Sequence, residues 1–277
     1  MVFIGDTGER NEAMEAVRPT IRAEKADVVV VLGDLVYPVA PSCPDGKLTP
    51  DAREELDDVV GGLLRDLGDS VYLALGNHDV GHGDRDPARE ACLMDYAASE
   101  PNIWLPDLSY GVDLGVVSLM VLNTNALDKE QGKRTREHWA GATGWKILAG
   151  HHVLKTYHDK VSENYLRPWL KKNRVKPDLY ANGHAHVLQF GVYGGLPALT
   201  SGATAKLRDY PECPPNCGAG QKWGASSVGY AVVDATADTL EVVYKNTVGR
   251  ELFRWDTRRP GTEPKPEKTT TPAVKGK

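Results

Sequence analysis

Residues 26–38 read ADVVVVLGDLVYP, and what this stretch becomes decides the fold. Four valines and a leucine follow one another without polar alternation. That is the pattern of a strand covered on both faces, as in parallel sheets. The run ends abruptly in Gly33 and Asp34, with Tyr37 three residues further on. A carboxylate at the carboxyl end of a buried strand is well placed to line a site rather than to face solvent.

The same design recurs on both sides. Residues 1–8, MVFIGDTG, carry a short strand from Val2 to Ile4 into Asp6, and residues 70–79, SVYLALGNHD, carry a third strand into Asn77 and His78. Helical patterns separate them. One runs over Asn11 to Glu24, and one lies in TPDAREELDDVVGGLLRDLG, with Thr49 as its cap, Pro50 just inside and Gly68 near its end. This β-α-β-α-β order predicts a largely parallel sheet.

Further along, SYGVDLGVVSLMVLNTN predicts two antiparallel strands, and GWKILAGHH and PDLYANGHAH predict short strands that end in histidines. A helix is expected around Glu163 to Asn173. From Leu196 onward LPALTSGA, GYAVVDAT and TLEVVYKNTVGRELFRWDT read as further strands, with DATAD as a turn. The final stretch, rich in Pro, Lys and Thr, has little to bury. We expect one domain over residues 1–258 and a disordered tail over 259–277.

Composition bounds the function. The 277 residues are 41% hydrophobic with a net charge of -5, so neither a nucleic-acid nor an anionic-membrane surface is expected. No apolar run approaches the roughly 20 residues that span a bilayer. No leader pattern precedes Val2, which fits a cytoplasmic protein or one whose leader is absent from this chain. The four cysteines, Cys43, Cys92, Cys213 and Cys217, lie on loop-like sequence and suit one or two disulfides in an oxidising compartment, Cys213–Cys217 being one candidate pair. Four unpaired thiols remain the alternative. A zinc site built from them is disfavoured, because Cys213 and Cys217 have no second pair at matching spacing.

Five strand ends thus carry polar clusters: Asp6; Asp34 and Tyr37; Asn77 and His78; His151 and His152; His184 and His186. Each has a glycine directly before its first polar residue, which lets the backbone turn sharply. His184 and His186, at i and i+2, are expected to project to one side of a strand. Six of the 8 histidines lie in or beside these motifs, His158 being the sixth, whereas His82 and His138 read as solvated surface groups. Convergence of the five turns predicts a site for two metal ions.

The series GD, GDxxY, GNHD, GH and GHxH resembles the calcineurin-like metallophosphoesterase superfamily. Gly8 and Tyr37 are similar to the purple acid phosphatases, especially the short tartrate-resistant type. The resemblance covers roughly residues 2–255. It implies an α/β fold, a four-layer α/β/β/α sandwich of two mixed sheets flanked by helices. It also implies Asp6, Asp34, Tyr37 and His186 on a first metal, and Asp34, Asn77, His151 and His184 on a second. Relatives with Asp-x-His complete the first shell with that histidine. Here position 8 is glycine, and the resemblance implies that Tyr37 would supply the missing ligand as a phenolate. Free tyrosine titrates near 10, so a hard trivalent cation is needed to remove its proton. The implied cofactors are Fe(III) and a divalent ion, Fe, Zn or Mn.

The implied chemistry is hydrolysis of a small phosphorylated substrate, a phosphomonoester, by a metal-bound hydroxide, with inversion at phosphorus. His78 would touch the phosphate and help protonate the leaving group, with Asp79 orienting it. His158 is the candidate second-sphere histidine, and His152 is an alternative. The stretch KRTREHWAGATGWKILAGHH leaves little room for the helix that usually precedes the fourth motif. In the insert around residues 207–226, Tyr210 and Trp223 could stack on a leaving group or simply pack. A phosphodiesterase of the same superfamily, an inactive binding protein on the same fold and a redox role remain alternatives. The family's habit and the cysteines favour an extracellular or periplasmic location.

Overall fold

The computed structural model describes residues 1–156, 163–209 and 220–259. The chain begins with β1 (Val2–Ile4), α1 (Glu12–Ala23), β2 (Val29–Leu32), α2 (Pro50–Leu56), α3 (Gly62–Leu64), β3 (Val71–Ala74) and α4 (Asn77–Val80). Next come α5 (Pro87–Ala98), β4 (Ile103–Trp104), β5 (Tyr110–Asp113), β6 (Val117–Val121), α6 (Lys129–His138) and β7 (Trp145–Ala149). Then follow α7 (Glu163–Asn173), β8 (Leu179–Asn182), β9 (Leu188–Tyr193) and β10 (Leu196–Ser201). The last four strands are β11 (Gln221–Ala225), β12 (Gly229–Ala235), β13 (Thr239–Asn246) and β14 (Glu251–Arg258).

The strands form two seven-stranded sheets, ordered β14-β13-β12-β1-β2-β3-β4 and β11-β9-β10-β8-β7-β6-β5. β1 to β4 are mutually parallel, and β12 adds antiparallel to β1, so the first sheet is mixed. In the second, β6, β7, β8 and β10 run parallel, whereas β5 and β9 pair antiparallel.

The two-residue period of a strand explains the layers. Leu119 and Val121 of β6, Ile147 and Ala149 of β7, and Leu179 and Ala181 of β8 join the core shared with β1, β2 and β3. The intervening Met120, Leu148 and Tyr180 point the other way and pack with Leu166, Trp169 and Leu170 of α7. On the far side, α1 lays Met14, Val17 and Ile21 on the first sheet. Helix, sheet, sheet and helix follow in that order.

Local chemistry sets the helix ends. Asn11 caps α1 by accepting from Met14 N at 3.0 Å, and Thr49 caps α2 by accepting from Ala52 N at 3.2 Å with Pro50 at its first position. The little room expected before the fourth motif is corrected: α6 is a ten-residue helix. Asp128 caps it by accepting from Gln131 N at 2.8 Å. It buries Gln131, Gly132 and Thr135 rather than an apolar stripe, so hydrophobic periodicity gives no sign of it.

Cys43 and Cys92 form a disulfide that ties the loop after β2 to α5. Cys213, Cys217, Tyr210 and His158 lie outside the described residues, as do residues 260–277 of the expected tail. Trp223 does not face a site; it stacks on Phe253 at 5.2 Å and packs against Tyr244. His138 is not a free surface group, since its Nε2 lies 3.1 Å from Ser118 Oγ.

Candidate metal centre

The five polar clusters follow the carboxyl ends of β1, β2, β3, β7 and β8 and meet where the strand ends of the two sheets face each other. Backbone bonds splice the turns together. Asp6 N donates to Gly33 O, Gly8 N to Asp34 O, Tyr37 N to Gly8 O and Gly183 N to His151 O, at 2.9–3.1 Å. Four site residues sit in the left-handed region, Asp6 at φ 57, Asp34 at 55, His184 at 68 and His186 at 55. Non-glycine residues rarely go there, and such strain concentrates at functional sites.

Two groups of donors result. In the first, the Tyr37 hydroxyl lies 2.8 Å from Asp34 Oδ2, 3.2 Å from Asp6 Oδ1 and 3.3 Å from His186 Nε2. In the second, Asn77 Oδ1 lies 3.0 Å from His151 Nε2 and 2.9 Å from His184 Nδ1, and His151 Nε2 lies 3.3 Å from Asp34 Oδ1. Asp34 therefore turns one carboxylate oxygen to each group. The seven side chains expected to bind metal are all brought together.

The donor set fits two cations. Asp6, Asp34 and His151 offer ligand atoms within 4.8 Å of one another, all buried. His184 Nδ1 and His151 Nε2 lie 3.0 Å apart, and His151 donates its Nδ1 proton to Leu32 O at 2.8 Å. That second bond leaves the Nε2 lone pair facing inward. A cation with ligand bonds of about 2.1 Å spaces neighbouring octahedral donors by about 3.0 Å, close to the separations above.

Electrostatics distinguishes the two groups. Burial lowers His151 to about 4, and burial followed by the Arg208 charge lowers His186 to about 4, so both imidazoles stay neutral into acid. Burial pushes Asp34 up, but His151 and His78 outweigh it and the net is a lowered value. Asp6 is raised by burial and by Asp34. Tyr37 is raised strongly by burial and by the carboxylates of Asp6 and Asp34, so only a strongly charged cation can take its proton.

Gly8 explains why no histidine stands there. A Cβ on Gly8 would lie 2.3 Å from Val36 N, so the segment that delivers Tyr37 occupies the space a side chain would need. Gly76 is similarly confined: its Cβ would lie 2.1 Å from Asp34 Oδ1.

His78 N donates to Asp34 Oδ1 at 3.1 Å, and its ring packs edge-on against Tyr37 at 4.6 Å. Its Nδ1 donates to Pro38 O, leaving Nε2 for a ligand. Asp79 does not orient this ring, which corrects the expectation. Its buried carboxylate accepts from Leu35 N and Gly76 N at 2.7 Å and Val36 N at 3.2 Å, so it clamps two turns together. The i, i+2 argument for His184 and His186 also fails. Both lie on a turn after β8, where left-handed backbone sends one to each donor group.

His82 is the residue missed. It is exposed, as expected of a solvated group, yet its ring stacks on His78 at 3.9 Å and 21°. Asn77 Nδ2 donates to its Nδ1 at 2.9 Å, which turns Oδ1 of the amide toward His151 and His184. The one hint in sequence is its place five residues after Asn77. Thr124 was also missed: its Oγ1 accepts from His151 N and His152 N and lies 2.9 Å from His152 Nδ1.

Purple acid phosphatase 4 of Arabidopsis thaliana is 29% identical over 225 residues, covering 68% of this chain and 62% of that relative. The chain thus spans less than two thirds of that protein. Purple acid phosphatase 3 of the same plant is 26% identical over 295 residues, covering 92% and 76%. Among solved structures, GAP50, described as the anchor in the inner membrane complex of Plasmodium, superposes with a TM-score of 0.67 at 13% identity, covering 93% of this chain and 87% of that one. PhoD gives 0.57 at 14%, covering 93% and 68%. At these identities the likeness is one of fold. The model for calcineurin-like phosphoesterases matches residues 1–188, and the chain belongs to that family.

Proposed function

We propose that the protein is an acid phosphatase of the purple type, hydrolysing small phosphomonoesters with Fe(III) in the first donor group and Fe, Zn or Mn as a divalent ion in the second. The observation that carries this is the Tyr37 hydroxyl, 2.8–3.3 Å from Asp34, Asp6 and His186 beside a Gly8 that admits no side chain. A phenol surrounded by two carboxylates and an imidazole is a poor hydrogen-bonding arrangement but a good ligand set for a hard trivalent ion.

Asp6, Asp34, Tyr37 and His186 would hold the first ion, and Asp34, Asn77, His151 and His184 the second. When bound, such a pair supplies Lewis acidity toward phosphoryl oxygens and acidifies water. The remaining work falls to this chain's own groups. His78, with its Nδ1 proton committed to Pro38 O, presents Nε2 to the phosphate and can deliver a proton to the leaving oxygen. Burial keeps His151 and His186 unprotonated down to about 4, which suits turnover in acid. His158, the candidate second-sphere histidine, would assist on the leaving-group side.

The Cys43–Cys92 disulfide favours an oxidising compartment, extracellular or periplasmic, and no described helix is long and apolar enough to cross a membrane. One domain over residues 1–258 would carry the activity.

The test is the visible spectrum of aerobically purified protein beside Tyr37→Phe. A violet band that vanishes in the variant, together with hydrolysis of p-nitrophenyl phosphate in preference to its bis ester, is the expected outcome. A colourless, metal-loaded wild type would overturn the iron–tyrosinate assignment and favour the diesterase alternative.

A further inference from the structure

Beside the second donor group opens a cleft of about 700 Å³, and Asn77 and His184 belong to both. That volume is in the range that buries most of a drug-sized ligand and is far larger than a phosphate needs. Away from the donor group its lining turns apolar. Helix α7 contributes Tyr165, 63% exposed, and Trp169, while the loop after β6 contributes Leu127. Trp169 is held in place by its Nε1, which donates to Asp128 O at 2.6 Å.

The charges along this lining are as informative as its apolar side chains. No carboxylate lines the cleft among the described residues. Arg85 reaches it, but Glu90 grips that guanidinium through both carboxylate oxygens, and the Glu90 side chain is 4% exposed. A guanidinium neutralised in this way is poorly suited to bind the second phosphate of a nucleoside diphosphate.

We propose that this cleft is the leaving-group subsite, and that the preferred substrates are phosphomonoesters of neutral, apolar, ring-bearing alcohols. This rests on the phosphatase assignment above. With the phosphoryl group at the donor cluster, the ester oxygen points into the cleft and the ring lies against Tyr165, Trp169 and Leu127. Burial of that ring favours such substrates over short or charged ones.

Naphthylmethyl phosphate and methyl phosphate both release an alkoxide, so their comparison isolates the pocket from leaving-group chemistry. The expected kcat/KM ratio is on the order of thirtyfold in favour of the naphthyl ester. Tyr165→Ser, and Tyr165→Ser with Leu127→Asn, should cut the ratio to about threefold or less while methyl phosphate turnover holds. ADP should be a poorer substrate than the naphthyl ester. Equal turnover of the two esters, or a ratio unmoved by both variants, overturns the proposal. If neither ester nor p-nitrophenyl phosphate is hydrolysed, the phosphatase assignment fails by itself. The cleft is then judged by binding, read from quenching of tryptophan fluorescence by naphthylmethylphosphonate and by methylphosphonate. Tighter binding of the former by about tenfold, lost in the Tyr165 variant, sustains an apolar-ligand site; equal binding overturns it.

Discussion

The two donor groups share Asp34 and little else. The first is built of two carboxylates, a phenol and one imidazole, and its Asp6 and Tyr37 are both pushed toward their protonated forms. The second has two imidazoles and an amide. Its His151 is held neutral, and a backbone carbonyl already fixes its tautomer. One half must be forced open by the charge of its cation, whereas the other is preformed. Unlike electrostatics within a few ångström would let one scaffold select two different ions.

Removing what the halves share should have the largest effect. In Asp34→Ala both donor groups lose an oxygen, His78 N loses its acceptor, and the Tyr37 hydroxyl loses the shortest of its three contacts. Metal content should fall for both ions and kcat/KM by at least about a thousandfold. Retention of one full equivalent of either metal would show that the carboxylate is not shared.

The neighbours His78 and Asp79 separate chemistry from construction. His78→Ala should leave both metals bound and lower kcat by about a hundredfold, the scale of general acid catalysis. Asp79→Ala strands three buried N–H groups and should cost about 3–5 kcal/mol of stability, read as a lower denaturant midpoint. If Asp79→Ala instead keeps its stability and loses only kcat, the carboxylate acts on the substrate side after all.

Much of this was legible in the sequence, because the candidate metal-binding side chains sit at strand ends and strand ends are what β-branched runs mark. The parallel run β1 to β3 and the helices over Glu12–Ala23 and Glu163–Asn173 follow from the same patterning, whereas the two mixed sheets are implied by the family resemblance. Other features were not legible, for identifiable reasons. α6 buries Gln131 and Thr135, so it carries no apolar stripe. Asp79 and His82 depend on which backbone groups and rings a folded turn brings near, and local composition does not encode that. The parting of His184 and His186 depends on backbone angles that sequence spacing does not reveal.

Protons offer a gentler probe of the asymmetry. Loading the first half displaces protons from Tyr37 and Asp6, whereas His151 and Asp34 in the second are already deprotonated near pH 5. Calorimetry in two buffers should therefore register more protons released on loading the first half than the burial of His151 and the lowered Asp34 allow in the second. The sign for acid follows from the lowered imidazoles. Because His151 lies at about 4, its protonation should cost divalent occupancy only as pH drops through that value, whereas the first half, which sheds protons to load, should weaken steadily as pH falls from 7. Loss of the divalent ion already near pH 6 would mean that burial does not lower His151.

The smallest expected effect falls on the first half alone. Lys206 Nζ stands 4.0 Å over the Tyr37 ring and 3.3 Å from Glu9. A cation over the ring stabilises the phenolate and makes its electrons harder to donate to iron. Lys206→Met should therefore shift the violet band to longer wavelength, on the order of 10 nm, the equivalent of about 1 kcal/mol. The second half has no phenolate, so its divalent occupancy should not change. A shift to shorter wavelength, or loss of the divalent ion, would show that Lys206 acts on the turn's structure rather than on the ring it covers.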